Sequence, residues 1–365
     1  MRKNTTALKS VGQRLVREAS QPAPAARRYD VIVFGATGFT GLLTAQYYAR
    51  RQKSRPETFT WAIAGRSLQK MNNLEGIPSS VPRIVANSND QASLEAMTRQ
   101  TKVVATTVGP YIKYGAKLVA ACIATGTHYC DLTGEFVWVR DMIKKHHQAA
   151  QAARCKIVFC CGFDCVPVDL GTYMASTLLP SGPPTRVRAL ATRVNGAASG
   201  GTLASAELIK ERLKADAAAG IPDDPYMLAH DIVGEPANGA LPHHDLRVDT
   251  ADLSAGQTSV RWDSDWGTIT IPYVMAFIDC RVIRRSICLR GEKTSYVRPC
   301  FVPQRYMAHS HTNSPCPSLP RPSLAIGAFF VDTGTARPCR LEAQLVWPDS
   351  CSRTSLRSQV CQTTR

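Results

Sequence analysis

From Tyr29 onward, short runs of β-branched and apolar residues alternate with stretches whose apolar positions recur at helical spacing. That alternation is the signature of a parallel sheet crossed by helices. Val31–Phe34 reads as the first strand, followed by a helix over Leu42–Arg51 and strands at Thr60–Ala64 and Ile84–Ala86. Asp90, a good N-cap, opens a helix to Thr98 that carries Leu94 and Met97 on one face. Val103–Val108 is the fourth strand, and Ala116–Thr125, stopped by Gly126, the next helix. His128–Cys130 (strand), Phe136–Ala153 (helix) and Lys156–Cys160 (strand) complete the series. The predicted fold class is α/β, a Rossmann-type doubly wound parallel sheet whose ligands sit at the carboxyl ends of the strands.

Beyond Asp164 the rhythm changes. Asp169–Leu178 and Thr202–Ala219, closed by Gly220, predict helices, and Arg186–Val194 an alternating strand. This is the texture of a second, α+β substrate domain that breaks off early. From about Arg284 no period of 2 or 3.6 is sustained, and the stretch to the end holds eight Pro and six Cys. The expected organisation is a disordered basic extension (1–28), a dinucleotide-binding domain (29–165), an incomplete substrate domain (166–283) and an irregular tail (284–365).

Composition narrows the class. The 365 residues are 44% apolar and 20% charged, as in a soluble globular protein of about two domains. The net charge of +16 would suggest a nucleic-acid partner, but +6 of it lies in residues 1–28 and +8 in 284–365. A core left at +2 predicts no nucleic-acid binding. Thirteen Cys without a C-x-x-C pair read as reduced, mostly buried thiols, and no metal site is expected. No run reaches the roughly 18–20 apolar residues of a membrane-spanning helix, which leaves peripheral lipid association open. The Arg-rich N-terminus has the composition of a mitochondrial transit segment, yet it ends in Gln21-Pro22-Ala23-Pro24. A cytoplasmic location is expected, with mitochondrial or lipid-droplet association as alternatives.

The chemistry concentrates at strand ends. Gly35-Ala36-Thr37-Gly38-Phe39-Thr40-Gly41 follows the first strand and opens the first helix. Glycines there let backbone N–H groups approach a diphosphate at the positive end of the helix. After the second strand stands Arg66-Ser67 and no acid. A fixed positive charge with a hydroxyl suits the 2′-phosphate of NADP (as NADPH) better than the free ribose of NAD. Gly109-Pro110 breaks the fourth strand where the nicotinamide would pass, or is an ordinary turn; Tyr111 and Lys113 beyond it are candidate proton donors. Asp131, Glu135, Asp164 and Asp169 follow the fifth and sixth strands. The aspartates read either as helix N-caps or as carboxylates facing substrate, which makes Asp164 a third catalytic candidate. The glycine-rich turn Asn195–Thr202 is either a substrate contact or a flexible connection. No tyrosine has a lysine four residues on, so the proton-transfer pair of short-chain dehydrogenases is missing.

Together, Val33–Gly41, Ala64-Gly65-Arg66-Ser67, Val108-Gly109-Pro110-Tyr111, Asp131–Glu135, Gly162-Phe163-Asp164 through Asp169-Leu170-Gly171, Ser199–Thr202 and Pro272–Ala276 resemble the saccharopine dehydrogenase-like oxidoreductases, the group that includes the trans-acting enoyl reductases. The resemblance covers about Tyr29–Arg285. It implies an NAD(P)H-dependent enzyme that delivers hydride to an enoyl or imine group of a small-molecule or carrier-bound acyl substrate, in lipid, polyketide or other secondary-metabolite chemistry. A catalytically silent Rossmann protein that binds NADP or lipid, and a saccharopine-type amino-acid dehydrogenase, are the alternatives. Family chains are longer, and their second domain returns to close on the first. The tail here instead resembles an out-of-frame translation or a missed intron. The sequence leaves the oligomeric state open.

Overall fold

A computed structural model describes residues 26–55, 59–177, 186–191, 199–233, 260–263, 268–273, 275–291 and 295–301, with short strands between 325 and 360. Six strands, Tyr29–Phe34 (β1), Trp61–Gly65 (β2), Arg83–Val85 (β3), Thr101–Thr106 (β4), His128–Asp131 (β5) and Ile157–Val158 (β6), form a parallel sheet in the order β3-β2-β1-β4-β5-β6. The chain winds outward in both directions from β1. The switch point between β1 and β4 is therefore the crevice where a ligand lodges.

Alternation along β1 explains the two layers. Ile32 and Phe34 face one side and share a buried cluster with Leu94, Met97, Leu118 and Val119; Val33 faces the other with Ala45, Ile63 and Met71. The first side is covered by Gln91–Thr98, Ala116–Thr125 and Phe136–Ala152, the second by Phe39–Ser54 and Leu68–Asn72. With the one-turn helix Tyr111–Tyr114, these become in chain order α1 (Phe39–Ser54), α2 (Leu68–Asn72), α3 (Gln91–Thr98), α4 (Tyr111–Tyr114), α5 (Ala116–Thr125) and α6 (Phe136–Ala152). Full burial of each large apolar side chain contributes about 1.5–3 kcal/mol. The expected helix start and stop hold: Asp90 Oδ1 accepts from Ala92 N at 3.1 Å at the head of α3, and Gly126 ends α5 at φ +65°.

Two strands end earlier than the apolar runs suggest. β4 stops at Thr106, because the Val108 N–H turns back to Thr106 Oγ1 at 3.2 Å. β6 is two residues long, because Cys160 adopts φ +59° and gives its N–H to Asp131 Oδ1 at 2.9 Å, while Cys161 N bonds Asp131 O at 2.7 Å.

The remainder comprises Val166–Thr177 (α7), Arg186–Ala191 (β7), Gly200–Ala218 (α8), His230–Val233 (α9), Arg261–Asp263 (β8), Thr268–Pro272 (β9), Ala276–Arg290 (α10) and Ser295–Phe301 (β10). β7 pairs parallel with β10, and β10 antiparallel with β9, in a second sheet extended by Phe329–Asp332, Cys339–Ala343 and Ser358–Val360. This corrects the expectation that no element follows Arg284. α10 crosses that boundary, and its pattern is masked because two of its buried residues are arginines: Arg281 lies over the Phe136 ring at 4.2 Å, and Arg284 over Tyr226 at 5.4 Å. In β10, Pro299 falls in the register shift between Val297 and Cys300, where a strand tolerates the lost donor.

Candidate functional site

The turn after β1 is built by contacts within the chain. Gly35 sits at φ +99°, and its N–H bonds Ala64 O at 2.9 Å; Gly38 N then bonds Gly35 O at 2.9 Å. A Cβ on Gly41 would stand 2.0 Å from Gly35 O, and one on Gly35 would stand 2.8 Å from Thr107 Oγ1. These two glycines let β1, α1 and the end of β4 close on one another. A Cβ on Gly38 would meet nothing nearer than 3.4 Å. Thr37, Gly38 and Phe39 are exposed, Thr40 is half-buried, and Ala36 is buried beneath them. α1 has no side-chain N-cap and no acid in its first turn, so its positive end faces the crevice uncompensated.

Arg66 lies exposed at the end of β2 and makes no ion pair with the described residues. Ser67 caps α2, its Oγ accepting from Lys70 N at 3.3 Å, so its hydroxyl proton is still available to an incoming oxygen. Gly109 and Pro110, joined by a cis peptide, form the third rim, with Gly109 exposed. The structure thus places the ends of β1, β2 and β4 along one edge of the sheet, as the sequence predicts. Nicotinamide dinucleotide fits this geometry: Gly38 leaves room for a diphosphate at the head of α1, and Arg66 offers an unpaired cation.

Carboxylates organise the neighbouring strand ends. Glu135 is buried and accepts from Tyr111 N (2.8 Å), Ile112 N (2.7 Å) and Ser205 Oγ (2.6 Å). It holds the Gly109-Pro110 turn and ties α8 to it. Asp131 accepts from Tyr129 OH (2.7 Å), Thr133 N (3.1 Å) and Cys160 N (2.9 Å). Complete burial pushes its carboxyl up to about 7, against the pull of those three donors. Asp131 is thus a positioning acid between β5 and β6, correcting its reading as a helix cap.

The three catalytic candidates separate. Tyr111 is corrected: its ring is buried against Trp138, its hydroxyl donates to Thr106 O at 3.1 Å, and burial drives the phenol upward. Such a group braces the turn. Lys113 is exposed on α4. Asp164 is half-buried in the loop after β6, with its carboxyl raised by burial. Of the glycine-rich turn, residues 195–198 lie outside the described residues, and Ser199 caps α8 by accepting from Thr202 N at 3.2 Å. Sequence reasoning missed Ser205 and Thr107. Thr107 follows a recognisable strand, but its role depends on contact with a turn more than sixty residues away.

The family described as saccharopine dehydrogenase NADP binding domain matches residues 31–158. A trans-acting enoyl reductase of Mycobacterium bovis is 33% identical over 325 residues, which cover 86% of this chain and 72% of that one. One from Mycobacterium leprae is 44% identical over 155 residues, 41% of this chain and 36% of the relative. A Mycobacterium tuberculosis protein provisionally given the same name is 37% identical over 72% of this chain, which spans 62% of its length. A saccharopine dehydrogenase structure from Saccharomyces cerevisiae aligns over 44% of this chain and 34% of its own at 16% identity; its TM-score of 0.33 is too low to carry weight. With a Rossmann sheet and this span of similarity, the chain belongs to the saccharopine dehydrogenase-like family of trans-acting enoyl reductases.

Proposed function

We propose that this chain is an NADPH-dependent oxidoreductase that reduces the carbon–carbon double bond of an enoyl group on a small or carrier-bound acyl substrate. The observation that carries this reading is the turn from Gly35 to Gly41, in which Gly35 and Gly41 serve the fold while Gly38, exposed at an uncapped helix start, would meet only ordinary contact if it carried a side chain. NADPH, when bound, supplies the hydride. Backbone N–H groups of Gly38, Phe39 and Thr40 would receive its diphosphate, Arg66 and Ser67 its 2′-phosphate, and the Gly109-Pro110 turn would flank its nicotinamide.

The acyl reading is supported by a cavity of about 400 Å³ between α6, β6 and α10, lined by Met142, Ile143, Phe159, Leu228 and Val282. One side of it is polar, with His146, His147, Gln151, Asp169, Arg285 and Ser286, and Cys160, the residue held by Asp131, stands at its edge. The volume lies in the range of small-ligand pockets, and the apolar side of the lining suits an alkyl chain. Names borne by relatives, which speak of enoyl reduction, favour the same chemistry over imine reduction. The substrate side is assigned to the elements from α7 to β10, and the setting to the cytoplasm.

Replacing Arg66 with Ala tests the cofactor assignment. Loss of a charge-assisted phosphate contact should weaken NADPH about tenfold or more and leave NADH within twofold. Equal weakening of both would remove Arg66 from the 2′-phosphate site.

A further inference from the structure

The cavity between α6 and α10 is built from two helix faces of regular spacing. Val139, Met142, Ile143, His146, His147 and Ala150 recur at the period of one face of α6, and Val282, Arg285, Ser286 and Leu289 do the same on α10. β6 contributes Ile157 and Val158 between them. The cavity is therefore a groove, long rather than round.

Two sets of contacts fix the direction of its walls. At the head of α6 the Phe136 ring lies 5.8 Å from that of Phe277, with Arg281 over it at 4.2 Å. Farther along, Asp231 meets both helices: it accepts from Arg285 Nη1 at 2.7 Å and stands 3.9 Å from His147 Nδ1. α6 and α10 thus run side by side in the same direction, from an aromatic pair to a polar clamp. The aromatic end is the reaction side. Glu135, immediately before α6, holds Tyr111 N and Ile112 N, and with them the Gly109-Pro110 turn. Cys160, at the edge of the groove, is tied through its N–H to Asp131 at the carboxyl end of β5. A chain anchored where the nicotinamide is expected would enter beside Val139 and Phe159 and point toward His147.

The walls suit a hydrocarbon. Met142, Ile143, Leu228 and Val282 supply apolar surface, and the polar residues of α7 and α10 are engaged with protein: Ser286 Oγ donates to Asp169 Oδ2 at 3.0 Å, and Arg285 binds Asp231 and the Leu228 carbonyl. Polar groups that already have partners need none from a ligand. From Val139 to His147 the axis of α6 advances about 12 Å, at roughly 1.5 Å per residue. An extended alkyl chain gains roughly 1.2 Å per bond, a third of the span of an extended residue, so about ten carbons lie along this stretch.

We propose that the groove measures the acyl chain of the substrate, with Ile143 and Val282 as specificity-determining residues along it and the clamp of Arg285, Asp231 and His147 marking its end. The inference deepens the enoyl-reduction reading and rests on it. Carbons inside the groove exchange water for apolar contact, and carbons past the clamp return to solvent. Each added methylene should therefore tighten binding by up to about fourfold until the groove is full, and change it little thereafter. Ile143→Phe fills the middle of the groove. Ile143 lies one helical turn before His147, so the plateau should arrive about five carbons sooner than in the parent chain.

The experiment uses the full chain with NADP present and measures, by calorimetry, the affinity of saturated acyl N-acetylcysteamine thioesters from hexanoyl to hexadecanoyl, which lack the double bond. NADPH oxidation is followed separately on the trans-2-enoyl counterparts. The expected result is affinity that climbs with chain length, levels off, and levels off sooner in Ile143→Phe, while NADPH affinity stays within twofold of the parent. Should thermal denaturation show that Ile143→Phe is unfolded, Val282→Phe, which narrows the same stretch from α10, decides by the same shift. Affinity indifferent to chain length, or a plateau that the folded variants leave in place, overturns the groove; turnover of the enoyl thioesters by the same chain then leaves the reductase reading standing. The chain-length pattern without any NADPH oxidation supports the groove as an acyl site and contradicts the reductase reading.

Discussion

Gly38 and Gly41 stand three residues apart in one turn and are needed for opposite reasons. Alanine at 41 drives a methyl into the Gly35 carbonyl, 2.0 Å away, and should cost about 3 kcal/mol or more of stability. Alanine at 38 meets ordinary contact only, so thermal denaturation should leave it near the parent while NADPH affinity drops severalfold or more. A Gly38→Ala chain that unfolds early would assign that glycine to the fold instead. Asp131 offers a separate test through pH. Its folded carboxyl titrates at about 7, above the ordinary value, so the native state retains a proton that the unfolded chain releases near pH 4. Between those pH values its contribution to stability falls as pH rises. Asp131→Asn keeps an acceptor for Thr133 N and Cys160 N without that penalty. Denaturant titrations should show the variant gaining about 3 kcal/mol on the parent between pH 5 and 7.5. An identical difference at both pH values would show that Asp131 ionises normally.

At the scale of elements, α8 reaches the site through a clasp on α6. Asp216 accepts from Arg140 Nη1 at 2.8 Å and Arg212 Nε at 2.9 Å, while Arg212 also binds Asp141 at 2.6 Å. Burial would raise the Asp216 carboxyl, but the two guanidiniums outweigh it and hold it below its usual value. Its stabilisation is therefore complete above the unfolded pKa near 4 and lost as pH falls through the lower folded value. Asp216→Asn leaves Arg140 partly buried with less compensation and should cost about 2 kcal/mol. Hydrogen exchange should register this as lost protection in α8, with β1 and β4 unchanged. Elements of this kind were unevenly legible. α3 and α5 show their boundaries in a capping Asp and a terminal glycine, which are local signals. The end of β6 could not be read, because it depends on Cys160 turning back to a carboxylate 29 residues earlier. α10 was hidden for a similar reason: its buried arginines are acceptable only against Phe136, Tyr226 and Asp223, which are distant in sequence.

In the whole molecule, the dinucleotide half was readable because strand, turn and helix chemistry agree at each step from Tyr29 to Val158. The substrate half was less so. Met227, Leu228 and Ile278 join the same buried cluster as Ile32 and Phe34, so what reads as a second domain shares a core with the first. That sharing brings α10 against α7, where Ser286 Oγ donates to Asp169 Oδ2 at 3.0 Å, a juxtaposition no local pattern announces. The candidate cofactor residues were named from the sequence, whereas the packing of α10 onto the shared core was not. Everything functional depends on the crevice at β1 and β4 receiving a nicotinamide dinucleotide. Isothermal calorimetry of the full chain against NADPH and NADH tests this most directly. One site per chain, with NADPH bound more tightly than NADH, is the expected result; no binding of either nucleotide by a folded chain would contradict the account.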